Sequence, residues 1–339
     1  MPAGTPTPPA RRTCYDNAMR VLVTGATGLV GSNVCRMVLA RGDEATALVR
    51  PAANTAELAA LGVVLAKGDV TDAASVKRAA EGCDGAVHCA AMLGGLSQNI
   101  DEFRAVNVDG TMNVLDAALA RTVVLSTTTF FAMDAHPLTE SSPVADASND
   151  PYTITKREAF LEMTARAHNG QDVIVVVPGG IYGPAPVVER ALAPTSFNRA
   201  ILSALRGRLG EYVRFPIPWV FVDDVARATL LALERGEAGG RYIAMGQPDD
   251  AVSTAAFLNR ACELAGVEHR LVDVDVNDGN ASELERTFGP SLVQLARRSY
   301  PTPFFDNAAT VTALDYHPTS LDGGLVNTID WLRNVGRFP

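Results

Sequence analysis

The chain is short of several features that mark whole classes of protein. Its 339 residues hold only 5 cysteines, at Cys14, Cys35, Cys83, Cys89 and Cys262. They are odd in number, scattered and without a CxxC pair, which excludes a disulfide framework or a zinc site and suits idle thiols in a reducing cytosol. Long apolar runs are missing as well. A stretch such as Val173 to Val177 is strand-sized, far below the ~20 residues that span a bilayer, so no membrane attachment is expected. Clusters of basic residues are equally lacking: 29 Lys+Arg stand against 38 Asp+Glu, a net charge of −9. Such a surface does not suit nucleic acid, whose phosphates need clustered cations. The first eighteen residues, MPAGTPTPPARRTCYDNA, have no apolar signal-peptide core and are rich in proline. They are expected to form a disordered tail, with Met19 the natural starting point and a cytoplasmic location for the protein.

What the chain does have is 47% hydrophobic and 20% charged residues, ordinary for a globular protein. From Arg20 onward, short apolar runs alternate with Ala/Leu-rich segments of helical spacing, the pattern of βαβ units around a parallel sheet. The expected strands are Val21 to Val23, Ala45 to Val49, Val63 to Leu65, Ala86 to His88, Thr122 to Leu125 and Val173 to Val177. Each is nearly all apolar, as a sheet covered on both faces requires. Helices are expected at Leu29 to Ala40, Ala73 to Ala80, Asn107 to Ala120 and Tyr152 to Ala167. After Pro178, Pro-interrupted loops and shorter helices suggest a second, smaller lobe.

The first strand runs into Gly25-Ala-Thr-Gly28-Leu-Val-Gly31 and then a helix. The first glycine permits a tight turn, the second lets amides approach a pyrophosphate, and the third allows the helix to pack on the strand. The second strand ends Val49-Arg50-Pro51. A carboxylate there would hold ribose hydroxyls and repel a 2′-phosphate, whereas Arg50 can bind that phosphate. NADP(H) is therefore the preferred cofactor, with NAD(H) the alternative. Further on, Asp150-Pro151-Tyr152-Thr-Ile-Thr-Lys156 combines a helix cap, a proline at the first helical position and a Tyr and Lys on one helix face. A neighbouring ammonium and the helix dipole are expected to lower the phenol's pKa, giving an acid/base tyrosine. Upstream lies a hydroxyl-rich strand end, Ser126-Thr127-Thr128-Thr129-Phe130.

The G-x-x-G-x-x-G spacing, the YxxxK pair and the hydroxyl run together resemble the extended branch of the short-chain dehydrogenase/reductase superfamily. The resemblance covers essentially Met19 to the C-terminus. It implies an α/β fold: a Rossmann-type doubly wound parallel sheet over residues 19–178, and a small mixed α/β C-terminal substrate lobe over 179–339, from which residues of about 218–245 return to the sheet. It also implies cofactor contacts from Gly25, Thr27, Gly28, Leu29, Val30, Arg50, Asp69, Val70, Cys89, Ala90, Ala91, Tyr152, Lys156, Pro178, Gly179 and Ile181. By position, Thr128 becomes the catalytic hydroxyl with Thr127 its alternative, Tyr152 the acid/base, Lys156 its partner and Asn107 a support for the lysine through water. No metal is implied, and relatives usually form homodimers.

Within this superfamily, members that remove water from sugar nucleotides place Asp-Glu after the catalytic hydroxyl, where this chain has Thr129-Phe130. Nucleotide-sugar enzymes also usually have Asn at the place of Gly180 and Arg at that of Pro218-Trp219. The expected pocket instead holds Met92, Leu93, Thr129, Phe130, Gly180, Tyr182 and Trp219, which points to an apolar substrate. The pattern is nearest to dihydroflavonol-reductase-like and 3β-hydroxysteroid-dehydrogenase-like members. The expected activity is NADP(H)-dependent reduction of a ketone or aldehyde, or oxidation of the alcohol. A nucleotide-sugar epimerase and a non-catalytic NADP-sensing regulator are the alternatives.

Overall fold

The computed structural model describes residues 18–339 apart from 95, 96, 98, 118, 133–135 and 146–149. Residues 1–17 of the expected disordered tail lie outside the described residues. The strands are β1 (Arg20–Thr24), β2 (Glu44–Val49), β3 (Val64–Lys67), β4 (Gly85–His88), β5 (Arg121–Leu125), β6 (Val173–Pro178), β7 (Gly180–Tyr182), β8 (Glu211–Val213), β9 (Pro216–Phe221), β10 (Arg241–Ala244), β11 (Ala251–Ser253) and β12 (Val272–Val274). Seven of them form one parallel sheet in the order β10-β6-β5-β4-β1-β2-β3. The chain winds outward from β1 through β2 and β3, then returns to β4 on the other side. The carboxyl ends of β1 and β4 therefore flank the switch point, where a sheet of this kind opens a crevice.

The helices flanking the sheet begin with α1 (Leu29–Ala40), α2 (Ala56–Ala60), α3 (Ala73–Ala80), α4 (Ile100–Arg104), α5 (Gly110–Leu115) and α6 (Pro151–His168). They continue with α7 (Val188–Ala191), α8 (Phe197–Leu205), α9 (Val222–Arg235) and α10 (Thr254–Leu264). Successive strand residues point to opposite faces, so both faces need cover. Val23, Val87, Val123 and Val176 pack with Val34 of α1 and Val225 of α9. On the other face, Val124 and Val175 pack with Phe160 and Met163 of α6, and Leu22 and Ala86 with Val76 of α3.

One element departs from the expected single helix from Asn107 to Ala120. The helix starts earlier as α4, widens into a π-helical turn over Ala105–Asp109 and ends with α5 at Leu115. The turn carries Asn107 inside, at 1% exposure. Hydrophobic periodicity does not reveal such an inserted residue, which local packing and hydrogen bonding select.

The second lobe is built on a β11-β9-β7 sheet and a β12–β8 pair. Its core stacks Trp219 on Phe257, with centroids 3.7 Å apart and planes 7° from parallel, among Tyr182, Leu202 and Leu325. It is tied to the first by polar contacts. Asn33 of α1 donates to the Pro184 carbonyl at 2.9 Å, and Arg36 pairs with Asp223 at 2.6 Å. The fully buried Asp224 carboxylate accepts from the Thr319 amide at 2.7 Å and hydroxyl at 3.0 Å, and meets Arg227 at 3.1 Å. Among the described residues no helix is long and apolar enough to cross a membrane.

Because Asp224→Ala would strand the partly buried Thr319 amide and hydroxyl and leave Arg227 without its partner, it should lower stability by ~2–4 kcal/mol. Chemical denaturation compared with the parent protein checks this, an unchanged midpoint being the contrary result.

Candidate active site

Gly25 leaves β1 in the left-handed region, at φ +66°, which costs a residue with a side chain but not glycine. A Cβ on it would lie 2.6 Å from the Ala90 amide nitrogen, and one on Gly31 would lie 2.3 Å from the Gly25 carbonyl. The loop is thus held against the end of β4 and under its own helix. Helix α1 then begins with Gly28 as N-cap, with no side-chain cap and no acid in its first turn. Its leading amides and positive end are left for an anion. Thr27, Gly28 and Leu29 are partly buried beside this opening, whereas the Val30 side chain joins the core.

The remaining expected cofactor residues lie along the carboxyl ends of the strands. Arg50 is exposed just past β2, in a turn closed by the Ala53 amide on its carbonyl at 3.0 Å. Asp69 follows β3, and its Oδ1 accepts from the Thr71 amide and hydroxyl, each at 3.0 Å, an Asx turn. Val70 is buried, and its carbonyl accepts from Asn113 at 2.8 Å. Cys89, Ala90 and Ala91 are partly buried after β4. Pro178 ends β6, and Gly179 follows at a point where a Cβ would lie 1.8 Å from the Pro218 carbonyl. Ile181 packs against the main core. The cradle without side chains and the uncapped helix end fit a dinucleotide.

Helix α6 starts cleanly because Asp150 accepts from the Thr153 amide at 3.0 Å and Pro151 takes the first position. One turn on, Lys156 is 5% exposed and its Nζ donates to the Leu125 carbonyl, at the end of β5, at 2.8 Å. Burial lowers its pKa to about 8. The Tyr152 phenol, by contrast, is raised above its usual value, chiefly by burial and also by Asp150, although a hydrogen bond with Thr127 works the other way. The expected lowering by Lys156 is therefore corrected: the ammonium is turned onto the strand carbonyl, and desolvation dominates the phenol.

The hydroxyl beside Tyr152 is that of Thr127, buried at 9% exposure, rather than that of Thr128, which is only partly buried. The extended backbone continues past β5, with the Ser126 amide on the Val176 carbonyl at 2.8 Å. Neighbouring side chains there point to opposite sides, so a single-residue offset exchanges the hydroxyl presented. Thr129 lies 3.2 Å from the Thr153 hydroxyl. The buried Ser126 hydroxyl has no hydrogen-bond partner among the described residues.

The side chain of Asn107 bonds directly to Met92 and Thr155. Its Oδ1 accepts from the Met92 amide at 2.8 Å, and its Nδ2 donates to the Met92 carbonyl and the Thr155 hydroxyl, both at 3.1 Å. It thereby clamps the segment after β4 to α6. Leu93 beyond it is 46% exposed, and a Cβ on Gly94 would come 3.8 Å from Tyr152 Cβ. The segment after β4 thus borders the tyrosine at Gly94, with the exposed Leu93 next to it in sequence.

Three of the expected pocket residues are core instead. Phe130 is 1% exposed, with its ring 4.5 Å from Phe131 and 5.2 Å from Phe160. Trp219 and Tyr182 are each 1% exposed, and the Trp219 indole donates to the Val252 carbonyl at 3.0 Å. Gly180 packs beneath them: a Cβ there would lie 2.6 Å from Ile217 Cγ2 and 3.1 Å from the Trp219 ring. Sequence position alone could not separate rings that line a cavity from rings that fill the layer behind it.

Replacing Thr127 with valine should raise the phenol pKa of Tyr152 further, whereas Thr128→Val should leave it unchanged. Absorbance titration, read as a difference against Tyr152→Phe, tests this. Equal effects would remove the distinction between the two threonines.

A family model described as the NAD dependent epimerase/dehydratase family matches residues 21–245. The sterol demethylase protein B of Methylococcus capsulatus is 32% identical over 242 residues, 68% of this chain and 70% of that protein. Cinnamoyl-CoA reductase 1 of Oryza sativa subsp. japonica is 32% identical over 247 residues, 67% and 71% of the two chains. A 4-hydroxy-2-methyl-3-oxo-4-farnesyl-3,4-dihydroquinoline-1-oxide ketoreductase of Stigmatella aurantiaca is 30% identical over 291 residues, 82% and 83%. The crystal structure of gox2253 superposes with a TM-score of 0.80 at 27% identity, covering 95% of this chain and 100% of that one. With the glycine cradle, the Tyr–Lys helix and these likenesses together, the chain belongs to the NAD-dependent epimerase/dehydratase family of extended short-chain dehydrogenases/reductases and is an NAD(P)-dependent oxidoreductase.

Proposed function

We propose that the protein reduces the carbonyl of a mainly apolar ketone or aldehyde with NADPH, or oxidises the corresponding alcohol with NADP. The observation that carries this reading is the pair of hydroxyls, Thr127 on Tyr152, beside a buried lysine at the crevice of the sheet. When bound, the nicotinamide supplies or accepts a hydride. The chain's own residues do the rest. Thr127 is placed to donate a hydrogen bond to the substrate oxygen, and Tyr152 to pass it a proton as charge develops there. The Tyr152 phenol, protonated at neutral pH even at its ordinary value and pushed further up by burial, is suited to be the acid in the reducing direction. Lys156, kept charged below about pH 8, is assigned to the nicotinamide ribose.

Several observations favour a carbonyl substrate over a nucleotide sugar. The place where nucleotide-sugar enzymes usually carry an asparagine is Gly180, closed by Ile217 and Trp219. The segment beside Tyr152 offers Met92 and an exposed Leu93 rather than groups for a diphosphate. The names of two relatives given above, a cinnamoyl-CoA reductase and a ketoreductase, agree with carbonyl chemistry. For the cofactor, Arg50 stands where a 2′-phosphate would be read, with no carboxylate in its turn.

NADPH should therefore be consumed in the presence of hydrophobic aryl or cyclic ketones, and Tyr152→Phe should lower that turnover by about 10²-fold or more with NADPH affinity nearly unchanged. A normal rate in this variant would overturn the assignment. The substitution Arg50→Asp should weaken NADPH binding far more than NADH binding in fluorescence titrations, and equal losses would remove the NADP preference. Dinucleotide affinity should hold steady below about pH 8 and decline above it, as Lys156 loses its proton; a flat profile through pH 9 to 10, at roughly the ordinary range of lysine, would contradict that role.

A further inference from the structure

His88 ends β4 with its ring 1% exposed, and no step of the proposed chemistry uses it. Its Nδ1 lies 2.7 Å from the Thr24 hydroxyl, at the end of β1, and its Nε2 lies 3.1 Å from the Thr111 hydroxyl on α5. The direction of every proton in this chain can be assigned. Thr111 Oγ1 is 2.7 Å from the backbone carbonyl of Asn107, which can only accept, so the Thr111 hydrogen goes there. The Thr111 oxygen is left to accept from His88, and Nε2 must carry the proton. At the other end, the Ala90 amide donates to Thr24 Oγ1 at 3.3 Å. The Thr24 hydrogen is then available to His88 Nδ1, which accepts it without a proton of its own. The result is one polarised row: Ala90 amide to Thr24, Thr24 to His88, His88 to Thr111, and Thr111 to the Asn107 carbonyl.

The two ends of this row lie at the site. Ala90 is the residue that the glycine loop presses against, with a Cβ on Gly25 reaching its amide nitrogen at 2.6 Å. Asn107 sits in the π-helical turn and clamps Met92 and Thr155, the one beside the segment bordering Tyr152 and the other on Tyr152's own helix. We infer that His88 is a positioning residue: a neutral imidazole with its proton on Nε2 that couples the strand end against the glycine loop to the turn that places Met92 and Thr155 around Tyr152. Burial and the nearby Lys156 ammonium, which lower its pKa to about 3, are consistent with a ring that stays neutral. A protonated ring would have two donors, and the Thr24 hydrogen would lose its acceptor.

The experiment uses the full chain and two substitutions at Thr111, which keep the histidine itself in place. Thr111→Val preserves shape but removes both the acceptor for Nε2–H and the donor to Asn107, and Thr111→Ser restores the hydroxyl. In protein labelled with 15N-histidine, the His88 resonances at neutral pH are expected to show Nε2 protonated and Nδ1 bare. In protein labelled with 13Cζ-tyrosine, Thr111→Val should shift the Tyr152 signal and Thr111→Ser should return it toward that of the parent. Resting on the carbonyl-reductase reading, Thr111→Val should also lower kcat by about tenfold or more while the KM for NADPH changes little, with Thr111→Ser recovering most of the loss. An Nδ1–H tautomer, an imidazolium, an unmoved Tyr152 signal in Thr111→Val, or a serine variant as impaired as the valine variant would each overturn the inference. If the parent protein reduces no carbonyl, the proposed reaction fails, yet the imidazole and tyrosine resonances still decide the role of His88.

Discussion

A buried ammonium on a strand carbonyl is the contact on which the site depends. Lys156 lies on the first turns of α6, and Leu125 is the last residue of β5. Their 2.8 Å hydrogen bond fixes the helix over the carboxyl end of the sheet. Burying a charge is costly unless it is well paired, and the lowered lysine pKa expresses that cost. The bond also sets the neighbours: two residues past Leu125 the chain presents Thr127, and one turn before Lys156 the helix presents Tyr152. Helix α6 cannot slide along the strand without separating all three. Tyr152 and Lys156 are thus held by a helix and Thr127 directly past a strand end, a precise way to hold reacting groups.

Around this contact the structure divides its polar and apolar work. On one side, the glycine cradle and the open end of α1 supply amides to an anion in a protein whose net charge is −9. Bulk charge therefore says little about the cofactor, because backbone dipoles in the cradle act locally. On the other side, Phe130, Trp219 and Tyr182 form packed layers, and the segment after β4 meets the tyrosine at Gly94. Asn107 and the row of hydrogen bonds through His88 lie between these regions, and every buried polar group in that row has a partner, as a rigid site requires.

Much of this was legible in the residues. Strands of doubly buried apolar residues, the G-x-x-G-x-x-G turn and the Tyr–Lys spacing are local patterns with local physical causes, and they led directly to the sheet and to helix α6. The π-helical turn was not legible, since one inserted residue leaves hydrophobic periodicity almost intact. Nor was the choice between Thr127 and Thr128, because four adjacent hydroxyls carry no mark of which side of the extended chain faces Tyr152. The sign of the phenol's pKa shift is not legible for a related reason: the i, i+4 spacing places the lysine on the same face but does not say which acceptor its ammonium takes. A place after strand ends suggests pocket walls for Phe130 and Trp219, whereas depth of burial is settled only by the second lobe and α6 packing on them.

The central claim is that Thr127, Tyr152 and Lys156 serve net hydride transfer to a carbonyl, not internal cycling of a bound cofactor. The most direct measurement is to supply NADPH deuterated at the nicotinamide C4 with a hydrophobic ketone that the protein turns over, and to locate the label. The account predicts stoichiometric oxidation of the cofactor, with deuterium on the carbinol carbon of the alcohol. Conversion of a nucleotide sugar with no net loss of NADPH, and no oxidation with any ketone tried, would contradict it.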